Sequence, residues 1–397
     1  MNMAQHRAGY LRKWLPELSR RGYDTVLWEV ENNVAWETCP ECRSPDAFEK
    51  NELKALLAEC RLQGLEPVPL LQTIGHAEYV LKHEEYAHLR ELPKRIDQYC
   101  PRNQELLPFL HRWIEEYLEV FGEPKYFHIG ADESMCLGSC SSCKSYAEEY
   151  SLSRLYVEHV NAVAKPLLKR GITPIIWADM VLAYSDALDM LSRDIMLFDW
   201  RYDIYRGLGK VCIWSLGMRR GGDTLEFGEA LTGKKSFSPE FRGTFGKYLF
   251  PNGEKPDTEP ETFYTADFLA DKGFKVVTCP AASHYGDNVF SPRDRLHTAN
   301  VSDSVRKGMS PHLHGSMLTS WSVHLFPWEL QLAYIAIPGY LRQATDSSVV
   351  ELRERFAKET FGINTVSFWE ACDLLSGSCL FSNTAGVSGA IQLNVCT

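Results

Sequence analysis

Asp132 and Glu133 stand side by side at the end of the stretch Tyr126-Phe127-His128-Ile129-Gly130-Ala131-Asp132-Glu133. Adjacent carboxylates are costly to desolvate, so a pair delivered by an apolar run needs a partner, a proton or a substrate. One can act as a general acid while its neighbour bears charge, because a nearby carboxylate raises an acid's pKa. The plain alternative is a strand end whose acids face water or cap the next helix. Other segments of strand-like composition end in similar groups: Glu29 and Glu31, Gln72 and His76, Trp177 and Asp179, Asp199, Trp200 and Tyr202, and Trp321. Any one tryptophan serves packing more often than binding, but indoles grouped with carboxylates suit a sugar. The rings cover a pyranose face and the acids bind hydroxyls or move protons.

A second constellation is sulfur. Cys39-Pro40-Glu41-Cys42 and Cys140-Ser141-Ser142-Cys143 are two C-x2-C pairs, the spacing of a structural four-thiolate zinc site. Free thiols or a disulfide are the alternatives. A metal held by Cys39, Cys42, Cys140 and Cys143 would be structural, with no position open to water. No cofactor is expected for catalysis.

The elements that must position these groups alternate between the two periods. Asp24–Glu31, Leu65–Leu71, Tyr126–Asp132, Thr173–Ala178, Asp194–Phe198, Phe274–Cys279 and Gly315–Ser320 read as strands. Gln5–Arg21, Ala47–Cys60, Gln104–Phe121, Leu152–Arg170 and Thr262–Lys272 carry helical spacing. Such alternation predicts a (β/α)8 barrel with its active face at the strands' carboxyl ends. A closed barrel needs eight strands and seven are found. The missing one would precede the first helix, so the first strand is absent or atypical. The expected organisation is a catalytic barrel over 1–345 and a C-terminal helical extension over 346–397. A Gly-rich excursion from Gly207 to Pro260, with Arg219, Arg220, Asp223, Phe237, Phe241 and Tyr248, interrupts the rhythm and could shape leaving-group specificity or be a surface insert.

Composition narrows the partners. The chain has 397 residues, 45% hydrophobic and 24% charged, and a formal net charge of -10 without a long basic run. Nucleic acid and anionic membrane are therefore not expected partners. Met1–Arg12 holds no apolar run like a signal peptide, which leaves a cytoplasmic location as the default expectation.

Read together, His128-Ile129-Gly130-Ala131-Asp132-Glu133 resembles the H-x-G-x-D-E signature of glycoside hydrolase family 20, the β-N-acetylhexosaminidases. Leu71-Gln72-Thr73-Ile74-Gly75-His76-Ala77-Glu78-Tyr79-Val80-Leu81-Lys82-His83 is similar to the loop after strand three in that family's hexosaminidase D branch. Trp177-Ala178-Asp179-Met180 and Thr319-Ser320-Trp321 also fit, over about residues 8 to 340. The resemblance implies exo-acting hydrolysis of terminal β-linked N-acetylhexosamine, with the substrate's own acetamide as nucleophile. It also implies roles. Glu133 would be the general acid and Asp132 would orient the acetamide, whose oxygen Tyr202 would hold. Trp177, Trp200 and Trp321 would wall the pocket, and His76 would support the acid pair unless it is simply a satisfied loop histidine. His128, Asp179 and Glu31 complete the expected binding set. The family's sugar-gripping arginine on the first strand has no counterpart here, and Glu29 or Glu31 could take part of its role. A sugar-binding barrel without turnover is the other reading, and a zinc hydrolase is disfavoured by the absence of suitably spaced open-site ligands.

Overall fold

The computed structural model describes residues 7–208, 210–213, 223–226, 239–253, 258–284, 287, 292–321, 327–363 and 366–376. Helix α1 (Ala8–Arg20) leads into β1 (Thr25–Glu29), α2 (Lys50–Leu62) into β2 (Glu66–Leu70), and, after the short α3 (Glu78–Leu81), α4 (Leu106–Phe121) into β3 (Tyr126–His128). Then come α5 (Ser141–Glu149), α6 (Leu152–Lys169), β4 (Thr173–Trp177), α7 (Asp179–Ala183) and β5 (Met196–Trp200). β6 (Lys210–Ile213) and β7 (Asp223–Glu226) form a separate antiparallel pair. β8 (Val276–Cys279), β9 (Ala281–Ser283), β10 (Gly315–Ser316) and β11 (Thr319–Ser320) follow.

The seven expected strands form one sheet in the order β1-β2-β3-β4-β5-β8-β10, and its pairs are all parallel. It is curled: Thr25, Val68, Tyr126, Ile175, Phe198, Val277 and Ser316, one from each strand, border a single central cavity. Among the described residues β1 and β10 do not pair, so the barrel stays open along this seam. An apolar cleft runs along it, between α1 residues such as Leu11 and Leu15 and the stretch Met317–Trp321.

Alternation along the strands builds two cores. Val68, Leu70, Ile175, Trp177, Met196, Phe198, Val277 and Cys279 pack inside the curl, while Ile176, Leu197 and Val276 face the helices. Strands buried on both sides read as nearly continuous apolar runs, which is why they were legible in the sequence. Helix α1 shows the complementary pattern, with Leu11, Trp14 and Leu15 buried at helical spacing.

β2 is unusual in carrying Pro67 and Pro69 inside a sheet. Glu66 donates its N–H to Asp24 on the β1 side, so the prolines, one and three residues on, turn their missing donors toward β3. The β2–β3 ladder is accordingly reduced to one register pair, Leu70 with His128, and the first amide able to bond across is Leu71 N–H to His128 O at 3.0 Å.

Past the sheet, Tyr334, Ile337, Leu352, Phe356 and Trp369 from three C-terminal helices (Leu332–Gln343, Val349–Phe361, Val366–Ser376) form one cluster with Val301 and Val305 of the helix Asp294–Gly308. About half of the Gly207–Pro260 excursion, including Arg219, Arg220 and Phe237, and the tail 377–397 lie outside the described residues. Of its described part, Phe241 stacks edge-on against Tyr264, and Tyr248 donates to Asp271. Among the described residues no helix is long and apolar enough to cross a membrane.

Candidate active site

The expected strand through Asp132 ends early, at His128, and the acids are placed by a turn instead. Gly130 (φ 66°), Ala131 (φ 74°) and Glu133 (φ 43°) take left-handed backbone angles. Across the described residues the non-glycine positions with positive φ are Glu31, His76, Ala131 and Glu133, all at the mouth of the sheet. Each such residue costs on the order of 1–3 kcal/mol, a strain that gathers where side chains must be aimed. The turn is held by named bonds. Tyr156 donates to Ala131 O at 2.7 Å, Thr73 to Ile129 O at 2.6 Å, and Glu133 N–H to Asp179 Oδ2 at 2.9 Å. The φ of Gly130 favours glycine, and a Cβ there would fall 2.0 Å from Gln72 Oε1, so the Gln72 side chain that holds Glu29 would have to move.

His76 sits between the two acids. Its Nε2 lies 3.3 Å from Asp132 Oδ2 and 3.2 Å from Glu133 Oε2. The charge of Asp132, helped by both hydrogen bonds, pushes its pKa up to about 12, so the ring is an imidazolium at neutral pH. This reverses one expectation: Glu133 is held below the usual carboxylate range, because the His76 cation bonds to it directly. Raised values occur on the acids around the pair. Burial first, and then the charge of Asp132, pushes Asp179 up to about 8. Burial does the same to Glu29, to about 7, and to Glu31, to about 8, the latter with Glu29 beside it. Gln72 Nε2 donates to Glu29 Oε1 at 3.0 Å.

Aromatic residues close the opposite side. Trp200 stacks on Tyr202 with centroids 5.1 Å apart, Tyr202 lies 6.2 Å from Trp321, and Trp321 lies 5.9 Å from Trp177. Trp177 is buried and its Nε1 finds no partner among the described residues, as does the buried Oδ1 of Asp132. These are two polar atoms that a polar ligand could satisfy.

The sequence-derived residues therefore sort by depth. Asp132, Glu133, His76 and Asp179 meet, with Glu31 near enough to His76 for their charges to interact. Trp177, Trp200, Tyr202 and Trp321 form the wall. His128 lies beneath, fully buried, its ring 4.4 Å from that of Trp177, and accepts the Gly130 N–H at Nδ1. Burial drives its pKa well down, so it is a neutral prop under the turn. Asp199 points the other way, into the helix layer, where Thr265 donates to it at 2.7 Å.

The metal set needs correction. Cys39 and Cys42 are joined to each other in a disulfide, so they are not thiolates for a site shared with Cys140 and Cys143. The sheet order explains it: β2 stands between β1 and β3, and the loop after β2 separates the two C-x2-C loops. That loop supplies Cys100 and Glu91, which gather with Cys140 and Cys143 instead. Neither was singled out in the sequence, since Cys100 has no cysteine at metal-site spacing and a lone glutamate carries no signal.

The architecture is that of the (β/α)-barrel glycoside hydrolases, opened by one strand. More particularly, residues 16–210 match the glycosyl hydrolase family 20 catalytic domain. Among characterised relatives, the chain is similar to hexosaminidase D of Bos taurus, 32% identical over 177 residues that cover 43% of this chain and 51% of the relative. It is also similar to hexosaminidase D of Homo sapiens, 32% identical over 183 residues, 45% of this chain and 38% of that one. The match thus spans about half or less of these relatives' lengths. The chitobiase of Flavobacterium johnsoniae shares the fold, with a TM-score of 0.62 at 16% identity over 91% of this chain and 50% of that structure's chain.

Proposed function

We propose that the chain is an exo-acting β-N-acetylhexosaminidase that removes terminal β-linked GlcNAc or GalNAc with retention, the substrate's acetamide serving as nucleophile. The observation that carries the reading is His76 bridging Asp132 and Glu133, opposite a wall of four aromatic rings. In this reading the sugar's apolar face lies on Trp321 and its neighbours, and Asp132 Oδ1 accepts the acetamide N–H. The acetamide oxygen, steadied by the Tyr202 hydroxyl, then attacks the anomeric carbon. Glu133 protonates the departing glycosidic oxygen, leaving a cationic oxazolinium beside the Asp132 carboxylate. Glu133 next takes a proton from water as that water opens the oxazolinium at the same face.

His76 holds Glu133 ionised in the free protein, so the acid must gain its proton as the sugar binds. In the free protein the proton resides on the imidazolium, 3.2 Å from Glu133 Oε2. A bound sugar that displaces water raises the cost of a charged Glu133 and shifts it toward its protonated form, the form that donates to the leaving oxygen. Asp179 accepts the Glu133 N–H and so fixes the backbone of the acid.

The test uses an aryl β-GlcNAc and an aryl β-GalNAc with wild type, Glu133→Gln and Asp132→Asn. Turnover by wild type should fall roughly 10²–10⁴-fold in Glu133→Gln for poor leaving groups. It should fall comparably in Asp132→Asn, and the aryl glycoside with a free 2-hydroxyl should not be cleaved. A folded wild type that binds the sugar without turnover overturns the proposal.

A further inference from the structure

One buried cluster has no part in the chemistry above: Glu91, Cys100, Cys140 and Cys143. One ligand atom from each lies within 4.8 Å of all the others, although the residues come from two different inter-strand loops. Cys100 Sγ is 3.6 Å from Cys140 Sγ and 3.6 Å from Cys143 Sγ, and Cys143 Sγ is 3.2 Å from Glu91 Oε2. A tetrahedral zinc, bonded to sulfur at about 2.3 Å and to oxygen at about 2.0 Å, sets S···S edges of about 3.8 Å and S···O edges of about 3.5 Å. These three edges fall within a few tenths of an ångström of that frame.

The surroundings suit thiolates. Glu91, buried, accepts the N–H groups of Ser139 (2.8 Å) and Cys140 (3.0 Å) on Oε1, which leaves Oε2 turned to the sulfurs. The Cys143 N–H donates to Cys140 Sγ at 3.3 Å, in the first turn of α5, where a helix N-terminus favours negative charge. Without a cation the buried Glu91 Oε2 has only the weak Cys143 thiol as a donor, whereas a divalent ion binds all four groups at once.

We propose that Glu91, Cys100, Cys140 and Cys143 form a closed, structural zinc site. With four protein ligands it has no position for water and takes no part in bond breaking. Its effect is on loop placement. The segment that carries Glu91 and Cys100 also bonds to the His76 loop, through Tyr99 N–H to Ile74 O (2.9 Å) and Ala77 N–H to Asp97 O (3.1 Å). It reaches the loop after Glu133 through Cys136 N–H to Gln98 Oε1 (2.7 Å). The ion would therefore clamp the loop that bears His76 to the one that follows Glu133. This positioning role rests on the hexosaminidase reading; the metal site itself does not.

The test is elemental analysis of the full chain purified from zinc-supplemented cells without chelator, followed by Co²⁺ exchange. About one zinc per chain is expected, with cobalt giving thiolate charge-transfer absorption and tetrahedral d–d bands. Cys100→Ser and Cys143→Ser should retain less than about a tenth of that metal, while Cys39→Ser and Cys42→Ser keep it in full. Because a cysteine variant can fail to fold, the wild-type measurement decides by itself. Folded wild type with no zinc and no cobalt charge-transfer band overturns the site, as does iron in its place. Metal lost in Cys39→Ser but kept in Cys100→Ser refutes this ligand set.

Discussion

Gly75→Ala offers a sharp probe of the His76 bridge, because it adds one carbon without touching a reacting group. A Cβ at this position would lie 2.3 Å from the main-chain oxygen of Asp132. An ordinary contact begins near 3.4 Å, so the loop bearing His76 and the turn bearing the acids must part by about 1.1 Å, and neither side can yield by rotating a side chain. His76 is the next residue. A shift of that size takes its Nε2 from 3.3 and 3.2 Å to more than about 4 Å from both carboxylates, beyond hydrogen-bond reach. Misplacement by about 1 Å near a reacting centre costs on the order of 10²-fold. We expect kcat/KM on an aryl β-GlcNAc to fall by about that factor, while overpacking lowers stability by roughly 1–3 kcal/mol. Gly9→Ala is the control: nothing lies within 4 Å of its Cβ, and alanine in a helix should gain roughly 0.5–1 kcal/mol with unchanged kinetics. A folded Gly75→Ala enzyme with the wild-type kcat/KM and pH profile would refute the bridging role of His76.

Three buried acids should pull stability down as pH rises, against the opposite pull of the buried neutral His128 below about pH 6.5. Asp179, Glu29 and Glu31 hold protons up to about 8, 7 and 8 in the folded chain, whereas the unfolded chain releases them near 3.8 to 4.5. Their contribution is therefore complete below about pH 4 and is lost toward pH 8, at no more than about 1.4 kcal/mol per group per unit. Urea midpoints at pH 5, 7 and 9 check this, and Asp179→Asn should flatten the slope. Glu133 opposes the trend only below its ordinary 4.5, where protonation breaks its bond to His76. Trp321→Ala should lower kcat/KM by about tenfold, equivalent to roughly 1.4 kcal/mol of lost ring contact, with little change in melting temperature because the side chain is half-buried. A wild-type value would remove Trp321 from the sugar wall. Gly130→Ala should lower activity sharply and reduce soluble yield, since its φ disfavours a side chain and a Cβ displaces the Gln72 amide from Glu29; normal turnover would show that the turn can be rebuilt.

What the chain declares along its own length is the alternation of doubly buried strands with amphipathic helices, and the acids and indoles at the strand ends. These are local signals: periods of two and 3.6 residues, and a run of residue types that one folded turn presents together. The seven strands and the meeting of Asp132, Glu133, His76 and Asp179 follow that reading. Three-dimensional packing decided what separate segments do to one another. His76, drawn between two acids by the close approach of Gly75 to Asp132, lowers the pKa of Glu133 where the neighbouring acid alone would have raised it. Asp199 and His128 look like site residues on paper, but strand facing sends one to the helix layer and the other under the turn. The thiols were sorted by sheet order. With β2 between β1 and β3, Cys140 and Cys143 meet Cys100 and Glu91 from the intervening loop, and Cys39 can close only on Cys42. Spacing within one segment is a property of the chain; which segment lies across from it is settled only when the sheet is laid down.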